Sequence, residues 1–528
     1  MGDSAVLIEA GSQDDVHRMW RAWRWAAGVR FAVPGARTVL VVAEAAIEDG
    51  ERFVARLPAP TEATGPAGRT VNIPVLYDGP DLDGVAESCG VSAEEVVARH
   101  SGAEHLVGFL GFSPGFAYLT GGDPRVAVSR LPEPRTSVPA GSVALAGGMT
   151  AIYPQATPGG WRLIGRTGTV MFDPYADQPA RLVPGDRVRF IPVAELPPYA
   201  PPSLGTPLAP PTPSVPALEV LDAGPQLTLQ DDGRSGWAHA GVPIAGAADR
   251  RSARAGHAIV GNHPGAAGLE STLGRFRLRL RGGDAVLAVT GAAADLTVDG
   301  LPARSGAPLH LRPGMELLVG PARQGVRMYL AVAGGLDAPV VLGSRSADTL
   351  SGLGPAPLRP GDVVAIGTGP ASDVGTDRAG GPAPVRPGGI ASGPGRGVGP
   401  ARRTDASGGH LIDDPVVVSA RLGPRSDWLH ASGRATLGGE EFRVGPASDR
   451  IGVRLEGPPV RLSRPGELPS EGMVAGAVQI PPAGRPIVMM RNHPPTGGYP
   501  VVAVVDDAGV DALAQAGPGT VVRFRLVD

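Results

Sequence analysis

The run His105-Leu-Val-Gly-Phe-Leu-Gly-Phe-Ser-Pro-Gly-Phe-Ala-Tyr-Leu119, with Pro139-Ala-Gly-Ser-Val143, Tyr153-Pro154, Pro158-Gly-Gly-Trp161 and Ile164-Gly-Arg-Thr167 after it, decides how the chain reads. Apolar segments of four to six residues alternate with glycine and proline, so the backbone here should run as short strands joined by tight turns. Aromatic, His and Arg side chains between the turns mark a ligand site rather than plain scaffold.

On the N-terminal side of this run, Ser4–Glu9 predicts a strand, and Ser12 with Asp14 and Asp15 predicts a helix start carrying Val16, Trp20 and Trp23 at i, i+4 and i+7. Thr38–Ala45 and Ile73–Tyr77 read as strands, Asp81–Cys89 and Ser92–Ser101 as short helices, the second opened by a capping box, Ser92-x-x-Glu95. On the C-terminal side, residues 197–217 hold too many prolines for a core and should form an extended spacer. Beyond it, alternation in Phe276–Leu280, Ala285–Val289, Leu296–Val298 and Met328–Val332 predicts strands, with helices over Ala248–Val260 and from Asp506 to Ala516. Residues 368–410 are rich in Gly, Pro, Ser and Arg and should be mobile; their GxGxxG-like look at Gly393–Gly399 is composition only, with no strand before it or helix after it. The expectation is a mainly β protein with short helices, divided at 1–196, 197–217 and 218–528.

Composition narrows function. With 528 residues, 42% hydrophobic, 19% charged and net charge -3, the chain suits a soluble multidomain protein and offers no basic footprint for nucleic acid. Gly 78 and Pro 57 favour turns over long helices. The single cysteine, Cys89, allows no internal disulfide and fits a cytoplasmic location, and no apolar run is long enough for a membrane span. All 48 basic side chains are arginine, which removes a P-loop lysine, a Schiff-base lysine and a biotinyl-lysine.

The motif Gly111-Phe-Ser-Pro-Gly115 matches the GxSxG elbow of serine hydrolases, but the residue after the nucleophile must donate its N–H to the oxyanion, and Pro114 has none. Ten histidines show no HxxxH or HxxEH spacing, so no metal site is expected. Polar candidates in the second half cluster at Gln230–Arg234, Asp249, Asn262, Glu270, Ser448–Arg450, Ser470–Gly472, Gln479 and Thr496–Pro500. Carboxylates beside Arg and Gly-rich turns suit orientation of a small carboxylate or amide, and equally suit salt bridges and turn caps.

These ordered motifs resemble two known families. The first part, through Gly111–Phe116, Pro139–Ser142, Pro158–Trp161 and Ile164–Thr167, resembles the Kip-inhibitor or allophanate-hydrolase-subunit-1 family. The second, through Gln230-Asp231, Gly233-Arg234, Gly241-Val-Pro243, Gly261-Asn262, Leu269-Glu270, Ser448–Arg450, Ser470–Gly472 and Thr496–Pro500, resembles the Kip-antagonist or allophanate-hydrolase-subunit-2 family. The resemblance implies tandem cyclophilin-like β-barrels and the fused B and C subunits of a 5-oxoprolinase, which opens 5-oxo-L-proline to L-glutamate with ATP, Mg and an A subunit of the LamB/YcsF type. It also implies two alternatives: a biotin-dependent urea carboxyltransferase component, with biotin carried on another chain, and a Kip-type inhibitor of a sensor histidine kinase. A small-molecule substrate and a homo-oligomer are expected, without nucleic acid or membrane. An unstrained lactam is a poor electrophile, which is why phosphorylation of its oxygen would help water attack.

For that chemistry the resemblance implies Arg166, Asp231, Arg234, Asp249, Glu270 and Glu471 as catalytic groups. It implies His105, Phe112, Pro114, Gly115, Phe116, Tyr153, Gly160, Ser470, Gln479, Asn492, Thr496 and Tyr499 as substrate-binding residues. Arg166 is expected to face Asp231–Arg234 and Ser470–Gly472 across the linker. The chain departs from the family pattern at Met149, where Gln is frequent, at Gly256, where Asn is frequent, and at Asn492, where an acidic residue is frequent.

Overall fold

The computed structural model describes residues 2–60, 68–209, 211–212, 214–367, 415–466 and 468–527, so the segment 368–410 lies outside the described residues. Near the start, strands Ala5–Glu9, Thr38–Ala43 and Val29–Pro34 form an antiparallel sheet with Thr38–Ala43 at its centre. That central strand is buried along its whole length, which is why it is apolar throughout and not alternating. Helix Gln13–Trp23 covers one face with Val16, Trp20 and Trp23, and Ser12 caps it by accepting the Asp15 N–H at 3.1 Å. Ala238 and Val474, from the second half, pack with Leu40 and Val42 on the other face.

A seven-stranded sheet follows, ordered Arg162–Arg166, Ser142–Ala146, Met149–Ile152, Ala117–Thr120, His105–Leu110, Arg187–Pro192, Thr70–Val75. Leu76 and Arg166 exchange backbone hydrogen bonds of 2.9 Å, so its two edges nearly meet and the sheet is almost a barrel. Helices Leu82–Cys89 and Ala93–Gly102 pack beside it; the capping box acts through the Ser92 hydroxyl, which accepts the Glu95 N–H at 3.2 Å. Asp81 does not cap its helix: its carboxylate instead takes Arg135 at 2.7 Å and the Leu163 N–H at 2.6 Å.

The proline-rich segment is extended, as its composition predicts, but it is docked along the surface. Gly205–Thr206 pairs in parallel with Gly354–Pro355, and the Tyr199 hydroxyl donates to the Pro154 carbonyl at 2.8 Å. Beyond it, a seven-stranded and a five-stranded sheet enclose a core that includes Leu227, Leu229, Phe276, Leu278, Leu287, Val289 and Leu330. Helix Arg250–Ile259 lies against Ala285–Ala293 and Gln324–Val332. The chain ends in a closed seven-stranded barrel of Val416–Leu422, Val501–Val505, Ala477–Gln479, Ile487–Met489, Gly452–Glu456, Phe442–Val444 and Val521–Val527. Helices Gly50–Ala55 and Ala431–Gly439 were not expected; both are short and lack a strong apolar stripe, the first burying no residue. Among the described residues no helix is long and apolar enough to cross a membrane.

Candidate functional site

The stretch from 111 to 116 is a tight loop between two strands, with no helix after it. Gly111 donates to the Phe116 carbonyl at 3.1 Å, Phe116 to Ser113 at 3.0 Å, and Gly115, at φ +78, to Ala240 of the second half at 2.9 Å. Phe112 sits at φ +64, a left-handed conformation that costs a bulky residue on the order of 1–3 kcal/mol and is held only because its surroundings demand it. The Ser113 hydroxyl is buried without a hydrogen-bond partner, so no His is bonded to it as a base.

Docking of this loop on the second half opens a cleft of about 410 Å3. One wall is aromatic: Phe116 stands edge-on to Phe112, Tyr118, Tyr153 and Trp161 with ring centroids 5.0 to 5.8 Å apart, an arrangement favoured by the ring quadrupoles. Arg130 and Pro158–Gly160 extend it. Gly159 has to be glycine because a β-carbon would fall on the Tyr153 ring, 2.9 Å from Cζ. The opposite wall is Leu468, Ser470, Pro494 and Thr496–Tyr499. There Glu471–Gly472 pairs antiparallel with Thr496–Gly497, and the buried Gln479 amide donates to the Tyr499 carbonyl at 3.1 Å. Burial raises the Tyr118 and Tyr153 hydroxyls above their ordinary pKa, so both stay protonated hydrogen-bonding groups at neutral pH.

Seven of the residues expected to bind substrate line this cleft: Phe112, Phe116, Tyr153, Gly160, Ser470, Thr496 and Tyr499. Pro114 and Gly115 shape the loop behind it, and Gln479 supports the far wall. His105 lies in the core instead, its Nε2 on the His100 carbonyl at 3.0 Å and its ring edge-on to Phe190. Asn492 is fully buried and donates to Asp348 at 2.8 Å, so an acidic residue there would meet a second carboxylate.

The six residues expected to be catalytic are placed elsewhere. Arg166 is exposed, pairs with Asp78 of the same half at 2.9 Å and does not line the cleft. Arg234 is 1% exposed and holds the carbonyls of Val341 and Ser346. Asp231 accepts from the Ser344 hydroxyl and the Gly233 N–H, both at 2.7 Å, and from the Arg345 N–H at 2.6 Å. Asp249 caps helix Arg250–Ile259 and takes the Gln515 amide at 2.8 Å. Glu270 is buried between Arg327 and Arg450, and Glu471, although next to Ser470, pairs with Arg425 behind the wall. These carboxylates and guanidiniums hold turns and strands together, which is the other use their motifs allow.

The cleft also uses Tyr118, Trp161 and Arg130, which the expected set lacks. Tyr118, on strand Ala117–Thr120, meets the Phe116 ring edge-on at 5.0 Å. Among the described residues no three His, Cys, Asp or Glu side chains are grouped to hold a metal ion.

Tandem β-barrels thus meet at a small aromatic cleft between the two halves of one chain. Models of the carboxyltransferase domain match both halves, subdomains C and D over residues 1–182 and subdomains A and B over 240–526. The first half is 42% identical over 207 residues to the B subunit of 5-oxoprolinase from Escherichia coli O157:H7, covering 37% of this chain and 95% of that protein. The second is 30% identical over 310 residues to the C subunit of 5-oxoprolinase from E. coli K12, covering 58% of this chain and 90% of that protein. The solved structure of TTHA0988 superposes with a TM-score of 0.83 at 34% identity, covering 98% of this chain and 99% of that one. The chain belongs to the carboxyltransferase-domain family, and carries in one polypeptide the counterparts of the B and C subunits of 5-oxoprolinase.

Proposed function

We propose that this chain is the fused B and C component of a cytoplasmic, ATP-dependent 5-oxoprolinase that opens 5-oxo-L-proline to L-glutamate with a third protein of the LamB/YcsF type. The observation that carries this reading is the cleft, whose aromatic wall comes from the B-like half and whose glycine-rich wall comes from the C-like half. A five-membered lactam presents two apolar faces, a polar amide edge and a carboxylate. Phe116 and Trp161 suit the faces, the hydroxyls of Ser470, Thr496 and Tyr153 suit the amide edge, and Arg130 suits the carboxylate.

This chain's part in the reaction is to bind the lactam, orient its carbonyl and limit the water around it. The cleft does not suit a nucleoside triphosphate: the sequence has no lysine, and Arg130 is the one charged group among the described residues lining it. ATP and Mg then belong to the third protein. A second reading, carboxyl transfer to a urea-type amide, is favoured by the carboxyltransferase description of both matched halves; biotin would then arrive on another chain.

Calorimetric titration of 5-oxoproline into the full chain tests the site. Trp161→Ala should weaken binding at least about tenfold, the loss of one ring contact with its buried area. Arg166→Ala should leave it unchanged. The reverse pattern would move the site to the Arg166 edge.

A further inference from the structure

A second cavity, of about 100 Å3, lies where the N-terminal sheet, the 235–244 loop and the final barrel meet. Its charge is unbalanced. Arg30, Arg250 and Arg491 all line it. Arg491, 6% exposed, reaches Asp507 at 2.9 Å and Asp511 at 3.4 Å. The guanidiniums of Arg250 and Arg30 have only backbone carbonyls as hydrogen-bond partners among the described residues, those of Asp232 at 3.1 Å and Glu44 at 3.3 Å. Asp232 gives its own carboxylate to Arg254 at 3.2 Å.

Asp507 pairs with Arg491 and is the one carboxylate among the described residues of the lining: protein packed around its base would raise its pKa, but Arg491, and beyond it Arg250 and Arg30, lower it. It also stands exposed, at 84% of its side chain. Burial, and then the neighbouring Arg491, push Arg250 down to about 10. The Nε atoms of Arg250 and Arg491 are buried without partners. Ser4 and Ser235 add hydroxyls to the same lining. Clustered guanidinium donors around a small, partly desolvated space match the geometry of an oxoanion.

We propose that this cavity binds a small oxoanion, phosphate or a carboxylate, between Arg30, Arg250 and Arg491. The site bears on the aromatic cleft through a shared wall. Along 493–496 the lining alternates: His493 and Pro495 face the cavity, while Pro494 and Thr496 face the cleft. An occupant stiffens that wall. The site does not depend on the reaction proposed above, since it uses none of the cleft residues.

Sodium phosphate, sodium acetate and sodium chloride at equal ionic strength are the probes, read by calorimetry on the full chain and by hydrogen exchange. Phosphate or acetate should bind saturably where chloride does not, and should slow amide exchange in 491–497; whichever of the two binds more tightly identifies the anion class. Arg30→Gln, on an exposed side chain, should weaken binding at least about threefold. Asp507→Asn, which removes the competing carboxylate, should tighten it by a similar factor; a gain of affinity is not an effect that misfolding produces. Absence of saturable binding by either oxoanion, an affinity unmoved in Asp507→Asn, or protection that spares 491–497 would overturn the proposal.

Discussion

Replacing Glu270 by alanine is expected to destabilise the protein by about 3–5 kcal/mol, the cost of leaving buried charges without their partner. Glu270 is 1% exposed. Its Oε1 accepts from Arg450 and, at 3.2 Å, from Arg327, while its Oε2 accepts the Ala248 N–H at 2.8 Å. Arg450 also donates to the Gly246 carbonyl at 2.5 Å, and Arg327 to the Thr272 hydroxyl at 2.7 Å. The triad therefore ties strand Gly268–Thr272 and the 246–249 turn to the loop between barrel strands Phe442–Val444 and Gly452–Glu456. Without the carboxylate, two guanidiniums face each other out of water. Burial alone would raise the Glu270 pKa, but Arg450, Arg327 and the Ala248 N–H outweigh it and hold the pKa below the ordinary value. Its stabilisation is thus complete above the unfolded pKa, about 4.3, and is lost as pH falls through the lower folded value. Urea unfolding at neutral pH should show the large loss for Glu270→Ala. Glu270→Gln should show a shallower further loss than wild type on acidification below about pH 4. A neutral-pH loss under about 1 kcal/mol would mean the triad is not the tie described.

Gly111→Ala should have the second large effect, and on the cleft itself. A β-carbon at 111 would overlap the Thr496 hydroxyl and lie 2.9 Å from the Thr496 Cβ. Thr496 is 5% exposed and has little room to retreat, because Thr496–Gly497 is paired with Glu471–Gly472. The two walls must separate, at a cost of about 1–3 kcal/mol for overpacking, with a loss of at least about tenfold in affinity for the cleft ligand. Adding Thr496→Ala removes the overlapping hydroxyl and should recover part of the lost stability. A Gly111→Ala variant indistinguishable from wild type in unfolding midpoint would show that the halves do not touch here.

Much of the fold was legible because the signals were periodic. The Trp20 and Trp23 stripe, the Ser92 capping box and the alternation in Phe276–Leu280 each reflect a constraint between residues close in sequence. Closure of the final barrel followed from the family resemblance and not from local pattern, since pairing Val416–Arg421 with Val522–Val527 joins segments about a hundred residues apart. The cleft was legible through its turns and aromatics, which have few uses other than a shaped surface. Its charged partners were not. An aspartate before glycine and arginine looks the same whether it faces a ligand or, like Asp231, gathers the hydroxyls and N–H groups of an interior turn. Arg130 carries no such signal, having no motif around it.

If the two halves of this chain form the lactam-binding part of an ATP-driven hydrolase completed by a third protein, both proteins are needed for turnover. The direct measurement is glutamate formed from 5-oxoproline by the purified full chain with ATP and Mg, with and without the LamB/YcsF-type protein. Glutamate and ADP should appear together, in equal amounts, only when both proteins are present, and Trp161→Ala should suppress both. Absence of glutamate under every combination, with ATP hydrolysis indifferent to 5-oxoproline, would contradict the proposed function.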